Sequence, residues 1–221
     1  MKVAQLPFEF FTVAPLTRVG NEVVETLSGL RDGLEQCSDA SIFHHTFQTL
    51  GRHHFLTEGF SSDFAQWVLT ATNRRELAEQ LASLDIGDYL SIAELRSDLR
   101  RIVASYCELF PQFATQTALE RFWFCEGLEV AVPLNRSAST LEELQAGVEQ
   151  MSHASFYFHF ISSRMRLHLR TNDFSLWLAR ELGLEHLAAS VNRIDIYTNT
   201  LDSARATVVQ LLAREAKGVQ P

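Results

Sequence analysis

The segment Phe8–Thr57, FEFFTVAPLTRVGNEVVETLSGLRDGLEQCSDASIFHHTFQTLGRHHFLT, lies without a gap on Phe122–Thr171, FWFCEGLEVAVPLNRSASTLEELQAGVEQMSHASFYFHFISSRMRLHLRT, at a constant offset of 114. Sixteen of the 50 positions are identical, among them Phe8, Phe10, Gly33, Ser38, Ser41, His45, Arg52 and His54, where chance gives roughly three. Further on the offset falls to 110, and Asp63-Phe64-x-x-Trp67 matches Asp173-Phe174-x-x-Trp177. After one more slip Arg96 faces Arg205. The chain therefore reads as two tandem, pseudo-symmetric helical repeats of about 100 residues, 1–110 and 111–221, packed together as one globular body. Pro111 marks the boundary by interrupting a helical pattern. Two copies are too few for a solenoid, so each half is expected to cover the other's apolar face.

Within a copy the signals are mostly helical. Phe122 to Cys125, then Glu126-Gly127, then Leu128 to Val132 reads as a short β-hairpin turning at the glycine, so each copy is expected to open with a short hairpin or strand. Ser139-x-x-Glu142 has the spacing of a capping box ahead of Leu141, Leu144 and Val148. The stretches from Ser41 to about Phe55 and from Ser155 to about Leu169 lack proline and are rich in aromatics, which suggests two central buried helices. Ser62-Asp63 and Asn172-Asp173 look like N-terminal caps for helices whose Trp67 and Trp177 plug the core. Ser91-x-x-Glu94 opens a further helix through Leu95, Leu99 and Val103. The fold class is mostly α.

The composition narrows the function classes. At 221 residues and 46% apolar the chain can bury a substantial core. Its 19 Lys and Arg against 27 Asp and Glu offer no basic stripe for phosphates, so neither nucleic acid nor an anionic membrane is expected as partner. No run approaches the roughly 20 apolar residues of a bilayer span, and Pro7 and Glu9 interrupt any signal-peptide core, which points to the cytoplasm. Cys37, Cys107 and Cys125 form no C-x-x-C, and glycine-rich phosphate loops are absent, so no cofactor is expected.

One combination of motifs is specific. Ser41-Ile-Phe-His-His, Asn172-Asp-Phe-Ser-x-Trp-Leu and Ile194-Asp-Ile-Tyr resemble an uncharacterised prokaryotic domain-of-unknown-function family whose members often carry the unit twice. The resemblance covers nearly the whole chain. It implies the duplicated helical fold and carries no chemistry with it. Ile196 departs from the pattern, where the family has proline.

The candidate site residues are those matched in both copies. His45 with His159, and His54 with His168, are each separated by nine residues within a copy, which on a straight helix is about 180° and rules out joint chelation. A metal would need His45 and His159 to meet across the two copies, with Asp63 or Asp173 as a further ligand; His54 and His168 are weaker candidates. The favoured reading is that His45 and His159 are core-edge imidazoles hydrogen-bonded to a neighbouring helix end, with an acid–base role second and no metal expected. Arg52 and Arg166 lie where a helix end favours a cation, and each is equally placed to pair with the aspartate of its own copy. Ser38, Ser41, Ser152 and Ser155 read as caps, since neither a G-x-S-x-G elbow nor an adjacent base accompanies them.

Two functions fit this inventory. The first is a non-catalytic cytoplasmic interaction or regulatory protein, with a protein partner or a second copy favoured over a small molecule, in keeping with missing catalytic motifs and 16 phenylalanines. The second is an enzyme or small-ligand binder with a His-, Arg- and Asp-lined pocket between the repeats. His44, His53 and the extra Glu58-Gly-Phe-Ser occur only in the first copy, so an asymmetric site is expected there.

Overall fold

In the computed structural model, residues 2–48, 60, 62–167, 169–195 and 199–218 are described. Among them the chain is mostly helical, with one two-stranded sheet formed by β1 (Phe8–Val24) and β2 (Phe122–Ala138). Helices α1 (Leu27–Gln36), α2 (Asp39–Phe43), α3 (Asp63–Thr72), α4 (Arg75–Ala82), α5 (Ile92–Leu109) and α6 (Pro111–Ala114) follow β1. After β2 come α7 (Leu141–Gln150), α8 (His153–Tyr157), α9 (Ser163–Leu167), α10 (Asp173–Arg180), α11 (Glu185–Asn192) and α12 (Leu201–Ala216).

The hairpin at Glu126-Gly127 does not form. β2 runs straight through it, and Gly127 is not among the positive-φ residues that a tight hairpin turn would require. The apolar residues on both sides of the glycine belong to one long strand paired with β1, so their backbone groups are satisfied without a turn.

The chain divides into two compact units, one of residues 16–128 and the other of 1–15 with 129–221. This division differs from the expected boundary at 110/111, because the start of β1 packs with helices that follow β2 and the start of β2 with helices that precede it. In the unit of residues 16–128, Phe122 packs on His45, Phe64 and Trp67, with ring centroids at 4.8, 5.2 and 5.8 Å. In the other unit Phe8 packs on His159, Phe174 and Trp177 at 4.9, 5.4 and 6.0 Å. Both tryptophans are buried, and their indole N–H groups donate to strand-side carbonyls, Trp67 to Glu120 and Trp177 to Leu6. The core role expected for the tryptophans holds.

Two glycines permit this packing. A β-carbon on Gly33 would lie 2.4 Å from the Phe124 ring, and one on Gly147 would lie 2.1 Å from the Phe10 ring. Helices α1 and α7 therefore approach a strand phenylalanine where only hydrogen fits.

The caps are largely as expected, with local shifts, except that Ser41 and Ser155 lie inside α2 and α8 rather than capping them, the Ser155 hydroxyl donating instead to the Phe11 carbonyl. Ser38, Ser91, Ser152 and Asn172 each accept the backbone N–H three residues on. The box opening α7 is set one residue later, on Thr140 and Glu143, because Glu143 is the residue that reaches back to the N–H groups of Ser139 and Thr140. Ser62 sits at the cap position of α3 without bonding through its side chain. Arg96 ties α5 to the end of α1 through the carbonyls of Leu34 and Cys37, and Arg205 ties α12 to the Met151 carbonyl.

Within the described residues both expected central helices change their winding, and the first lies outside the described residues beyond residue 48. α2 passes into a π-helical turn at His44–Gln48, and α8 into another at Phe158–Ser162 before α9 begins. A π turn carries one more residue than an α turn, so the face after it is rotated and backbone carbonyls are displaced. Thr46 Oγ1 donates to the Ile42 carbonyl at 2.7 Å and Ser163 Oγ to the His159 carbonyl at 2.6 Å, covering the displaced groups.

Candidate functional site

The π turns place one histidine in each unit against a strand. His45 is 4% exposed and His159 is 2% exposed. Nε2 of His159 accepts the Phe11 backbone N–H at 2.9 Å, and Nε2 of His45 accepts the Cys125 backbone N–H at 2.9 Å. A backbone N–H can only donate, so each Nε2 is the unprotonated nitrogen and each Nδ1 bears the hydrogen. That hydrogen goes to a carboxylate, Asp173 Oδ2 at 2.8 Å from His159 and Asp63 Oδ2 at 2.8 Å from His45. Both aspartates are the first residues of their helices, α10 and α3, where negative charge is favoured.

Asp173 is further held by Arg166, whose Nη2 lies 2.8 Å from Oδ1 and 2.6 Å from Oδ2. The Arg166 guanidinium in turn lies 4.9 Å from the centre of the Phe158 ring. Of the two placements weighed for Arg166, the ion pair with its own copy's aspartate is the one adopted. Arg52, His54 and His168, together with His53, lie outside the described residues.

The chemistry open to these groups is narrow. A ring with one nitrogen donating to a carboxylate and the other accepting an amide has no lone pair left for a metal and no nitrogen free to take a substrate proton. Each histidine spends both nitrogens inside its own unit. Among the described residues no three His, Cys, Asp or Glu side chains cluster as metal ligands. Each dyad is a buckle that fastens a strand from one copy to the helices of the other.

Beside the His159 buckle lies a cleft of about 560 Å³ within the unit of residues 1–15 and 129–221. Its apolar lining includes Leu6, Phe8, Phe11, Phe158, Leu176 and Trp177. Glu9, Arg166, Arg180 and Glu181 supply its charged groups beside Asp173. Glu181 Oε2 accepts the Leu6 N–H at 3.0 Å, so that carboxylate also anchors the segment leading into β1. A second cavity, of about 440 Å³ and in the unit of residues 16–128, is polar and holds Arg18, Asn21, Ser38 and Glu126. There the Ser38 hydroxyl and the Arg18 guanidinium both bond Glu126 and hold its carboxyl below its ordinary range. Burial pushes the Cys37 thiol at the edge of this cavity upward.

The aromatic, π-turn and dyad pattern recurs in both units. The chain belongs to DUF5752, a family of unknown function. The family model matches residues 5–213. A DUF5752 assignment agrees with the resemblance drawn from the motifs. The chain is also similar to OrfY from Thermoproteus tenax, whose solved structure aligns with a TM-score of 0.84 at 27% identity over 96% of this chain and 97% of that one. No protein of curated function matches the chain significantly.

Of the cleft residues, His159, Asp173 and Arg166 belong to the matched motifs, whereas Glu9, Phe11, Arg180 and Glu181 are not matched between the copies and carry no motif. Their divergence around an identical frame was the usable signal.

Proposed function

We propose that this chain is a non-catalytic binding protein of regulatory type, built from a duplicated helical unit, whose ligand site is the cleft beside His159. The observation that carries this reading is the commitment of both nitrogens in both histidines, which leaves the matched dyads without a reactive group. The cleft's size is that of a small-molecule site, and its largely apolar wall with a few charged groups at the rim has the usual make-up of one. That favours a small molecule over the protein partner expected from sequence, and it keeps the pocket of the alternative reading while setting aside its enzyme chemistry. The acidic composition argues against nucleic acid, and among the described residues no helix is long and apolar enough to cross a membrane. A cytoplasmic, prokaryotic setting goes with this proposal.

Equilibrium dialysis of the protein against a mixture of small metabolites, read by mass spectrometry, tests it. A compound enriched with the protein and recovered unaltered is the expected result. A compound consumed by the native chain but not by a His159→Gln variant would overturn the reading in favour of an enzyme.

Self-association is a second reading with its own support. Leu128, Val130, Val132 and Leu134 alternate along β2 and are 41–54% exposed, an apolar row of the kind that pairs with another chain. Sedimentation equilibrium of the native chain and of Val130→Lys distinguishes it: a dimer lost in the variant supports self-association.

A further inference from the structure

The two copies act as an internal control for the cleft. Where the fold needs a residue, both units have it: Phe8 and Phe122, His159 and His45, Asp173 and Asp63, Trp177 and Trp67. Around this frame the cleft positions diverge. Phe11, Phe158, Leu176 and Arg180 stand where the matching positions carry Cys125, His44, Gln66 and Thr70. The fold is satisfied by either set, so the apolar wall and the rim cation answer to something other than folding.

The charges at the rim then narrow the ligand. Asp173 is taken by His159 and Arg166, and Glu181 by the Leu6 amide. Glu9 and Arg180 are exposed, line the cleft, and make no hydrogen bond or ion pair among the described residues. They are of opposite sign. A purely apolar ligand would use neither, an apolar acid would leave Glu9 opposed to it, and an apolar amine would leave Arg180 opposed to it. Resting on the reading of this cleft as a ligand site, we propose that it binds a free α-amino acid with a large apolar side chain. The side chain lies against Phe11, Phe158 and Leu176, the carboxylate meets Arg180, and the ammonium meets Glu9. Binding is reversible and involves no bond change.

Isothermal titration calorimetry of the full chain with L-phenylalanine and L-leucine tests this. The comparators are 3-phenylpropionate, phenethylamine and the N-acetyl amide of phenylalanine. Saturable binding of the amino acids at one per chain is expected, about tenfold weaker for each analogue lacking a charge and about tenfold weaker in Arg180→Gln and in Glu9→Gln, as losing one charge-assisted contact implies. Both variants alter exposed side chains, so loss of fold does not confuse the result. Equal binding of the N-acetyl amide, indifference to both variants, or no saturable heat overturns the proposal. In the last case titration with the apolar dye 1-anilinonaphthalene-8-sulfonate separates two failures. Dye binding that is lost in Phe11→Thr keeps the cleft as a ligand site and removes only the amino acid; no dye binding removes both.

Discussion

A buried imidazole that accepts a backbone N–H is a demanding arrangement, because removing the ring takes a partner from two groups at once. In His159→Phe the Phe11 N–H loses its acceptor and Asp173 loses a donor, while Arg166 still holds the carboxylate. We expect this change to cost about 1–3 kcal/mol in urea denaturation, the penalty for leaving a buried polar group unsatisfied. A double-mutant cycle with Asp173→Asn should give a coupling of about 0.5–3 kcal/mol, and purely additive effects would mean that the dyad does not act as a unit. His45 with Asp63 should behave alike. Trp67→Ala or Trp177→Ala removes a buried aromatic and its hydrogen bond and should cost about 3–5 kcal/mol, visible as a large fall in Tm. At Glu126 the sign of a pH effect follows from its lowered carboxyl, which Ser38 and Arg18 stabilise in the charged form. A lowered folded-state pKa contributes stability above the ordinary carboxylate value of 4.5, and that contribution is lost as pH falls below it. The Tm difference between the native chain and Glu126→Gln, measured at pH 7, should therefore shrink toward zero in acid.

Elements were legible wherever local chemistry decides them. Caps at Ser38, Ser91, Ser152 and Asn172, and the helices behind Trp67 and Trp177, follow from residues within one turn of each other. The π turns were not legible, since a run of aromatics without proline fits either winding and the choice is made by the strand that His45 or His159 must reach. The hairpin failed for a related reason. Glu126-Gly127 has the composition of a turn, but a turn competes with pairing to β1, and a glycine also fits an extended strand. The matched glycines on α1 and α7 could be read as tolerated helix interiors until the phenylalanine rings above them are seen. Gly33→Ala and Gly147→Ala should each cost about 1–3 kcal/mol despite alanine's better helix propensity, the usual penalty for overpacking. A stabilised variant, as helix propensity alone would give, would mean that strand and helix are not in contact there.

At the scale of the molecule the match of residues 8–57 to residues 122–171 is legible in the sequence, and the choice of strand on which each set of helices closes is not. Phe8 matches Phe122, so a strand laid on its own copy's helices and one laid on the other copy's helices make the same local contacts. Similarity between copies says nothing about which pairing the connections allow. The cleft inherits this ambiguity: it joins Leu6 to Phe11 with helices that follow β2, while His53, Glu58, Gly59 and Ser61, where an asymmetric site is expected, lie outside the described residues. A fragment test follows. Residues 16–128 hold Trp67, its acceptor Glu120, Phe122 and the Cys125 amide, whereas 1–110 lacks the last three. The 16–128 fragment should unfold cooperatively by circular dichroism. The 1–110 fragment should not do so until it is mixed with 111–221, and cooperative unfolding of 1–110 alone would remove the exchanged arrangement.

The exchange also sets a timetable for synthesis. Leu6 and Phe11 leave the ribosome well before their partners, Trp177 following Leu6 by 171 residues and His159 following Phe11 by 148. At typical elongation rates an apolar strand waits about 10–30 s for its helices, while residues 16–128 can close as soon as β2 begins to emerge. The cleft is thus finished after the unit of residues 16–128, and a ribosome stalled before Trp177 leaves that unit folded with the start of β1 sticky and unclaimed.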